Sequence, residues 1–211
     1  MSEPVLYDYW RSSAAYRVRI ALNLKGIAYR SVPVDLVKGE QVEAANLDRN
    51  PQGLVPQLDI DGLMLTQSLA ILEYLDETRP EPALLPADPI ARQRARALSA
   101  AIAMEIAPVC NLRVARKAAE WSGDEGAMKT WMHEWTPSGL AAFEAMLASA
   151  PETGFALGEA PGMVDCVLMP VLYNARRWKV DLEPLPRIRA IEAHCAELNA
   201  FQAAHPDAVK P

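Results

Sequence analysis

Three short stretches near the N-terminus put polar groups where backbone chemistry can use them. Arg11-Ser12-Ser13 stands where a short apolar run gives way to a helical pattern. A helix N-terminus offers unpaired N–H groups and a partial positive charge, which favour an anion or a thiolate. A serine hydroxyl there can donate to a bound thiolate and favour the ionised form. The competing role for Ser12 or Ser13 is an ordinary N-cap, which is the better reading when either is taken alone. At Val55-Pro56 a proline enters a strand pattern, marking an edge, a bulge or a strand start. A cis bond there would expose the N–H and C=O of Val55 to an extended peptide, although most X–Pro bonds are trans. Gln67-Ser68 opens another helical pattern directly after a strand, so it is either a second cap or a carboxylate pocket.

The periodicities supply elements to hold these groups. Val5-Leu6-Tyr7 reads as a buried strand. Ser12 to Gly26 reads as a helix, with Ala14, Val18, Ala21 and Leu22 at helical spacing and Lys25-Gly26 as its C-terminal cation and glycine. Tyr29 to Val34 forms a second strand, and Lys38 to Arg49 a weak helix or loop. Val55 to Ile60 and Leu63 to Leu65 flank Asp61-Gly62, a hairpin signal. Ser68 to Glu77 is helical again. The order β-α-β-α-β-β-α describes a compact α/β unit.

Pro80, Pro82, Pro86 and Pro89 then make a stiff linker. Beyond it the patterns are helical: Ile90 to Lys117 bent at Pro108, Gly126 to Ala150, Met163 to Val180, and Leu185 to Ala204. The expected fold class is α/β plus all-α, with an α/β domain over residues 1–82 and a helical domain over 87–211.

Composition excludes several classes of function. The 211 residues are 51% hydrophobic and 23% charged, with a net charge of −6, the wrong sign for a nucleic-acid partner. Met1-Ser2-Glu3-Pro4 does not read as a signal peptide, and no stretch reads as the roughly 20 apolar residues of a membrane span. Cys110, Cys166 and Cys195 are odd in number and contain no Cys-x-x-Cys pair, which points to a reducing, cytoplasmic setting rather than a disulfide framework. His133, His194 and His205 lack metal-ligand spacing, so no metal is expected. Trp121, Trp131 and Trp135 sit at helical spacing and are expected in the core rather than on a partner surface.

Taken together, the three polar stretches resemble a known family. The run Arg11-Ser12-Ser13-Ala14-Ala15-Tyr16-Arg17-Val18-Arg19-Ile20-Ala21-Leu22 resembles the signature of zeta-class glutathione transferases, the maleylacetoacetate isomerase family. The likeness continues through Leu24-Lys25-Gly26, Asn50-Pro51, Val55-Pro56, Gln67-Ser68-Leu69-Ala70-Ile71 and Glu73-Tyr74-Leu75. It resumes at Leu84-Leu85-Pro86, Asn111-Leu112, Asp165, Asn174-Ala175, Lys179-Val180-Asp181-Leu182 and Ala200-Phe201, covering nearly the whole chain.

The resemblance implies a thioredoxin-like domain followed by a helical one, paired as a homodimer, with glutathione as cofactor. It implies that Ser12 stabilises the glutathione thiolate. Ser13, Gln41, Val55, Gln67, Ser68 and Asn111 would bind the tripeptide, and Arg11 and Arg177 would meet the carboxylates of a small dicarboxylate substrate. Arg17 and Arg19 are expected on a solvated face or in internal pairs. The implied reaction is glutathione-dependent cis–trans isomerisation of maleylacetoacetate in aromatic amino-acid catabolism. The alternatives are maleylpyruvate isomerisation, transfer to α-halo acids, or a non-enzymatic binding module.

Some positions depart from the family pattern. Ala14-Ala15 stand where Cys-Ser is usual, and no cysteine precedes Cys110, which excludes thiol exchange by a protein cysteine at this site. Ala107 replaces a common glutamine, and Arg113 a small polar residue. Gly162 replaces Ser or Thr three residues before Asp165, at a cost of a few tenths of a kcal/mol.

Overall fold

A computed structural model describes residues 3–211; Met1 and Ser2, with which the reading of the N-terminus began, lie outside the described residues. The chain forms two compact units. One comprises residues up to Leu84 together with Glu197–Pro211, and the other Leu85–Ala196.

The first unit is built on a four-stranded sheet in the order β2-β1-β3-β4. Strands β1 (Val5–Asp8) and β2 (Arg30–Pro33) are parallel, while β3 (Gln57–Ile60) runs antiparallel to β1 and to β4 (Leu63–Thr66). The β3–β4 turn takes positive φ at both Asp61 (56°) and Gly62 (78°), the geometry that makes Asp-Gly a hairpin signal. Helix α1 (Ser13–Leu24) is buried from Ala15 through Leu22, and it packs against α3 (Ser68–Thr78). The weak segment resolves into a short 3₁₀ turn, Glu40–Val42, and a single-turn helix α2 (Ala44–Leu47).

Two cations within and just after α1 fasten distant chain. Lys25 is more than a dipole partner: its buried ammonium donates to Asp76 (2.9 Å) and to the carbonyls of Arg79 and Pro82 (2.6 Å each). Arg19, 1% exposed, binds both carboxylate oxygens of Asp8 at 2.7–2.8 Å. Its other donors reach the carbonyls of Trp10 and Ala204, each at 2.9 Å. Ala204 closes a six-residue helix (Asn199–Ala204) that packs on α1, where Asn23 also donates to the Ala200 carbonyl at 2.9 Å. This is why Glu197–Pro211 belongs with the first unit rather than with a sequential domain over 87–211.

The second unit is helical. Asp88 caps α4 (Pro89–Ala100), and the helix continues through a π-type stretch, Ala101–Ile106, and a last turn, α5 (Ala107–Val109). The expected bend at Pro108 is therefore a break: the chain leaves the helix at Cys110, and Asn111 caps α6 (Leu112–Ser122). Contrary to the sequence expectation, the run Pro89–Ser122 does contain an 18-residue window of mean hydropathy 1.4, so one helical run is apolar and long enough to span a bilayer. The break falls within that run.

Helix α7 (Ala127–Leu147) carries Pro137, and α8 (Met163–Arg177) is the core helix, buried continuously from Met163 to Leu172. The last expected helix is split: α9 (Pro186–Glu197) ends before Leu198, and the helix that packs on α1, numbered α10, follows. Trp121 and Trp135 are 79% and 46% exposed, which corrects their assignment to the core. Trp131 is partly buried and donates to the Val109 carbonyl.

With glycine at the N-cap of α8, Asp165 supplies the side-chain contact from inside the helix. Its oxygens accept from the N–H groups of Gly162 (2.8 Å) and Ala156 (2.9 Å). Burial pushes its carboxyl up to about 6, above the roughly 3.9 of an unfolded chain. Its protonated form is thus favoured by folding, and that contribution is lost as the pH rises through about 6. Relative to Asp165→Asn, the parent should lose about 2–3 kcal/mol of stability between about pH 4 and about pH 7.5. Urea unfolding of both proteins across that range checks this, and a constant difference would refute it.

Candidate active site

The register of the sheet brings the three polar stretches to one end of the first unit. Tyr7 pairs with Gln57, and Gln57 with Thr66. The residues following β1, those preceding β3 and those following β4 therefore leave the sheet side by side.

At the first of these exits Ser12 is the N-cap of α1, and Ser13 is its first residue. The Ser12 N–H donates to the Tyr9 carbonyl (2.8 Å), and its Oγ accepts from the Ala15 N–H (3.2 Å). The capping role is thus realised, and it does not exhaust the hydroxyl: an oxygen that accepts keeps its own proton to donate elsewhere. Arg11 lies over the Trp10 ring at 4.6 Å and donates to the Tyr9 hydroxyl, while its buried Nε has no partner.

The second exit is the Val55–Pro56 bond, which is cis. Among the described residues, no hydrogen bond within the chain uses the N–H or C=O of Val55. A buried amide network fixes the backbone around it. Gln57 donates to Asn46 (3.0 Å) and to the Leu54 carbonyl (3.1 Å), and Asn50 donates to the same carbonyl (2.9 Å). Asn46 in turn donates to the Gln41 carbonyl at 2.8 Å. A Cβ on Gly53, where φ is +63°, would stand 3.2 Å from that carbonyl, so glycine lets the two loops meet. The buried Oε1 of Gln41 has no partner, leaving an acceptor for an incoming N–H.

At the third exit Gln67 adopts φ +66°, unusual for a residue with a side chain, and does not cap α3. Its amide donates to the Gln52 side chain at 2.8 Å. Ser68, the first residue of α3, is buried, and its Oγ accepts from Arg17 Nη1 at 3.1 Å. Arg17 is therefore neither solvated nor ion-paired. The sequence did not connect Arg17 with Ser68, because only the packing of α1 on α3 joins positions 17 and 68.

The remaining candidates lie in the helical unit. Asn111 caps α6 by accepting from the Arg113 N–H (2.9 Å). Arg177 ends α8, with Nη1 3.4 Å from Asn174 Oδ1. Ala107 sits at the junction of the π-type stretch and the last turn before Pro108.

The first unit thus offers two helix N-termini with serines, an unused backbone donor–acceptor pair and an orphaned acceptor. That set suits an extended peptide bearing carboxylates and one group to be held as an anion.

Comparison with known proteins agrees with this chemistry. Residues 3–77 match the family model of the glutathione S-transferase N-terminal domain, and residues 136–197 that of the glutathione S-transferase C-terminal domain. The chain is 59% identical to a maleylacetoacetate isomerase of Rhizobium meliloti (strain 1021) over 211 residues, covering 100% of this chain and 99% of that protein. It superposes with TM-score 0.94 and 45% identity on a holo maleylpyruvate isomerase described as a bacterial glutathione transferase of the zeta class, covering 98% of each chain. A maleylacetoacetate isomerase from Anaeromyxobacter dehalogenans 2CP-1, holding dicarboxyethyl glutathione and citrate in its active site, superposes with TM-score 0.87 and 44% identity. That match covers 100% of this chain and 98% of the other.

Proposed function

The chain belongs to the glutathione S-transferase family, and from that premise we propose that it is a glutathione-dependent isomerase converting maleylacetoacetate to its fumaryl isomer. The residues present fit the cofactor. A tripeptide thiol needs a backbone partner for its extended chain, an acceptor for one of its N–H groups, donors for its carboxylates and a donor for its sulfur. Val55, the free Oε1 of Gln41, the first turn of α3 and Ser12 offer these in turn.

When bound, glutathione supplies a thiol nucleophile whose reversible addition to a conjugated double bond makes that bond free to rotate. The protein's part is to bind, orient and stabilise charge. The Ser12 hydroxyl donates to the sulfur, and the N-terminus of α1 favours its negative charge. Gln41, Val55, Gln67 and Ser68 hold the peptide, with Ser13 at the first turn of α1. Asn111 joins the residues that bind the tripeptide, and Arg11 and Arg177 meet the carboxylates of the dicarboxylate substrate.

The observation that carries this reading is Ser12. Its oxygen is already engaged by Ala15, so its proton is the donor left for a thiolate, in a unit with no cysteine of its own. The neighbour named maleylpyruvate isomerase supports a second reading in which the substrate is maleylpyruvate.

We further propose a homodimer of the zeta class acting in the cytoplasm in aromatic amino-acid breakdown. Ile90 and Met104, exposed on the run Pro89–Ile106, are apolar groups a second copy would cover, and three free, buried cysteines suit a reducing compartment. The deciding measurement is the rate of maleylacetoacetate loss by purified protein with and without glutathione. Fast, glutathione-dependent formation of the fumaryl isomer is expected. No conversion at saturating glutathione would eliminate this substrate, and maleylpyruvate would be tried next.

A further inference from the structure

Two arginines two residues apart on α1 are both buried, with opposite fates. Arg19 has a carboxylate and two carbonyls. Arg17, 4% exposed, has the neutral Ser68 hydroxyl, no carboxylate among the described residues, and an Nε without a partner. Burying a cation without an anion is costly, and such groups normally acquire a partner. Burial alone pulls the Arg17 guanidinium down to about 10, with no acidic group offsetting it.

Its one contact leads to the first turn of α3, which also lacks a side-chain cap: Gln67 makes no capping bond, whereas α1 has Ser12 and α4 has Asp88. An uncapped helix N-terminus and an uncompensated cation therefore meet at Ser68.

We infer that Arg17 is a positioning residue that, through Ser68, prepares the first turn of α3 to receive a carboxylate of the bound thiol peptide. A guanidinium only donates, so Ser68 Oγ must accept from it. The Ser68 proton is then left to point at the anion, alongside the free N–H groups of the helix. The arriving carboxylate completes the cap and supplies the missing counter-charge. This inference rests on the glutathione reading above.

The test uses glutathione and two analogues, one lacking the α-carboxylate of the γ-glutamyl residue and one with the glycine carboxylate replaced by an amide. Calorimetric affinities and thermal midpoints are measured for the parent, Arg17→Met, Arg17→Lys and Ser68→Ala. The parent should bind one analogue weaker than glutathione by on the order of tenfold or more. Arg17→Met and Ser68→Ala should bind glutathione and that analogue alike, and Arg17→Lys should recover part of the discrimination. Unliganded Arg17→Met should melt no lower than the parent, since an unpaired buried charge is removed. At saturating glutathione its kcat should stay near the parent's while the KM for glutathione rises.

Full discrimination retained by Arg17→Met, or by Ser68→Ala should the first variant not fold, overturns the inference. So does a lowered unliganded midpoint with discrimination intact, which marks a structural role. A parent that binds no glutathione overturns the functional reading as well, and that outcome is visible before any variant is made.

Discussion

Ser12→Ala should lower kcat on the order of 10²-fold or more while weakening glutathione binding only a few-fold. An unassisted thiol has a pKa near 8.5 and is only a few per cent ionised at neutral pH. Each unit by which the site lowers that value corresponds to about 1.4 kcal/mol of preference for the thiolate. Ser12 stands at the N-terminus of α1 with its oxygen already accepting from Ala15 and its proton left to donate. Alanine removes both roles, and they separate by measurement. Loss of the cap costs about 1 kcal/mol and lowers the midpoint by about 2–4 °C. Loss of the thiolate donor moves the pH–rate profile toward higher pH and reduces the thiolate absorbance of the glutathione complex. A lower midpoint with turnover within a factor of two of the parent would leave Ser12 as a cap and nothing more.

The largest expected loss of stability follows Arg19→Met. The substitution leaves Asp8 buried without its counter-charge and strips a donor from the carbonyls of Trp10 and Ala204. Breaking one side of a buried pair costs about 3–5 kcal/mol, equivalent to a midpoint lower by about 10 °C in a chain of this size. Adding Asp8→Asn should restore part of that loss, because the stranded carboxylate is the larger share of it. Thermal unfolding of both variants, with limited proteolysis near Ala204, provides the readout. An Arg19→Met variant that melts within a degree or two of the parent would mean the pair contributes nothing net. The contrast with Arg17→Met is the sharper point: one helix and similar burial, with opposite effects expected because only one guanidinium has its anion inside the chain.

What could be read from the sequence is what depends on neighbours. Asp61-Gly62 declares its turn because two successive positive φ values select those residue types. Ser12 is visible as a helix opener because capping is a local demand, whereas Ser68 opens α3 without capping it. Val55-Pro56 marks a strand start, although sequence alone does not choose its isomer.

What was hidden is non-local. Lys25 reads as a C-terminal cation, yet its ammonium is spent on Asp76 and two carbonyls more than fifty residues away. Arg17 and Arg19 look alike in any window, and only Ser68, Asp8 and Ala204 tell them apart. The π-type stretch before Pro108 contains no glycine or proline that would set it apart from the helix it continues. Trp121 and Trp135 show that helical spacing of aromatics does not guarantee burial.

The discontinuity of the first unit bears on how the protein is made. Arg19 emerges from the ribosome about 185 residues ahead of its Ala204 acceptor, some tens of seconds at typical synthesis rates. During that interval α1 lacks the α10 helix that will cover it. The binding unit, although encoded first, is therefore completed only after the helical unit has been synthesised, so a nascent chain stalled before Asn199 carries the site's residues without their full support.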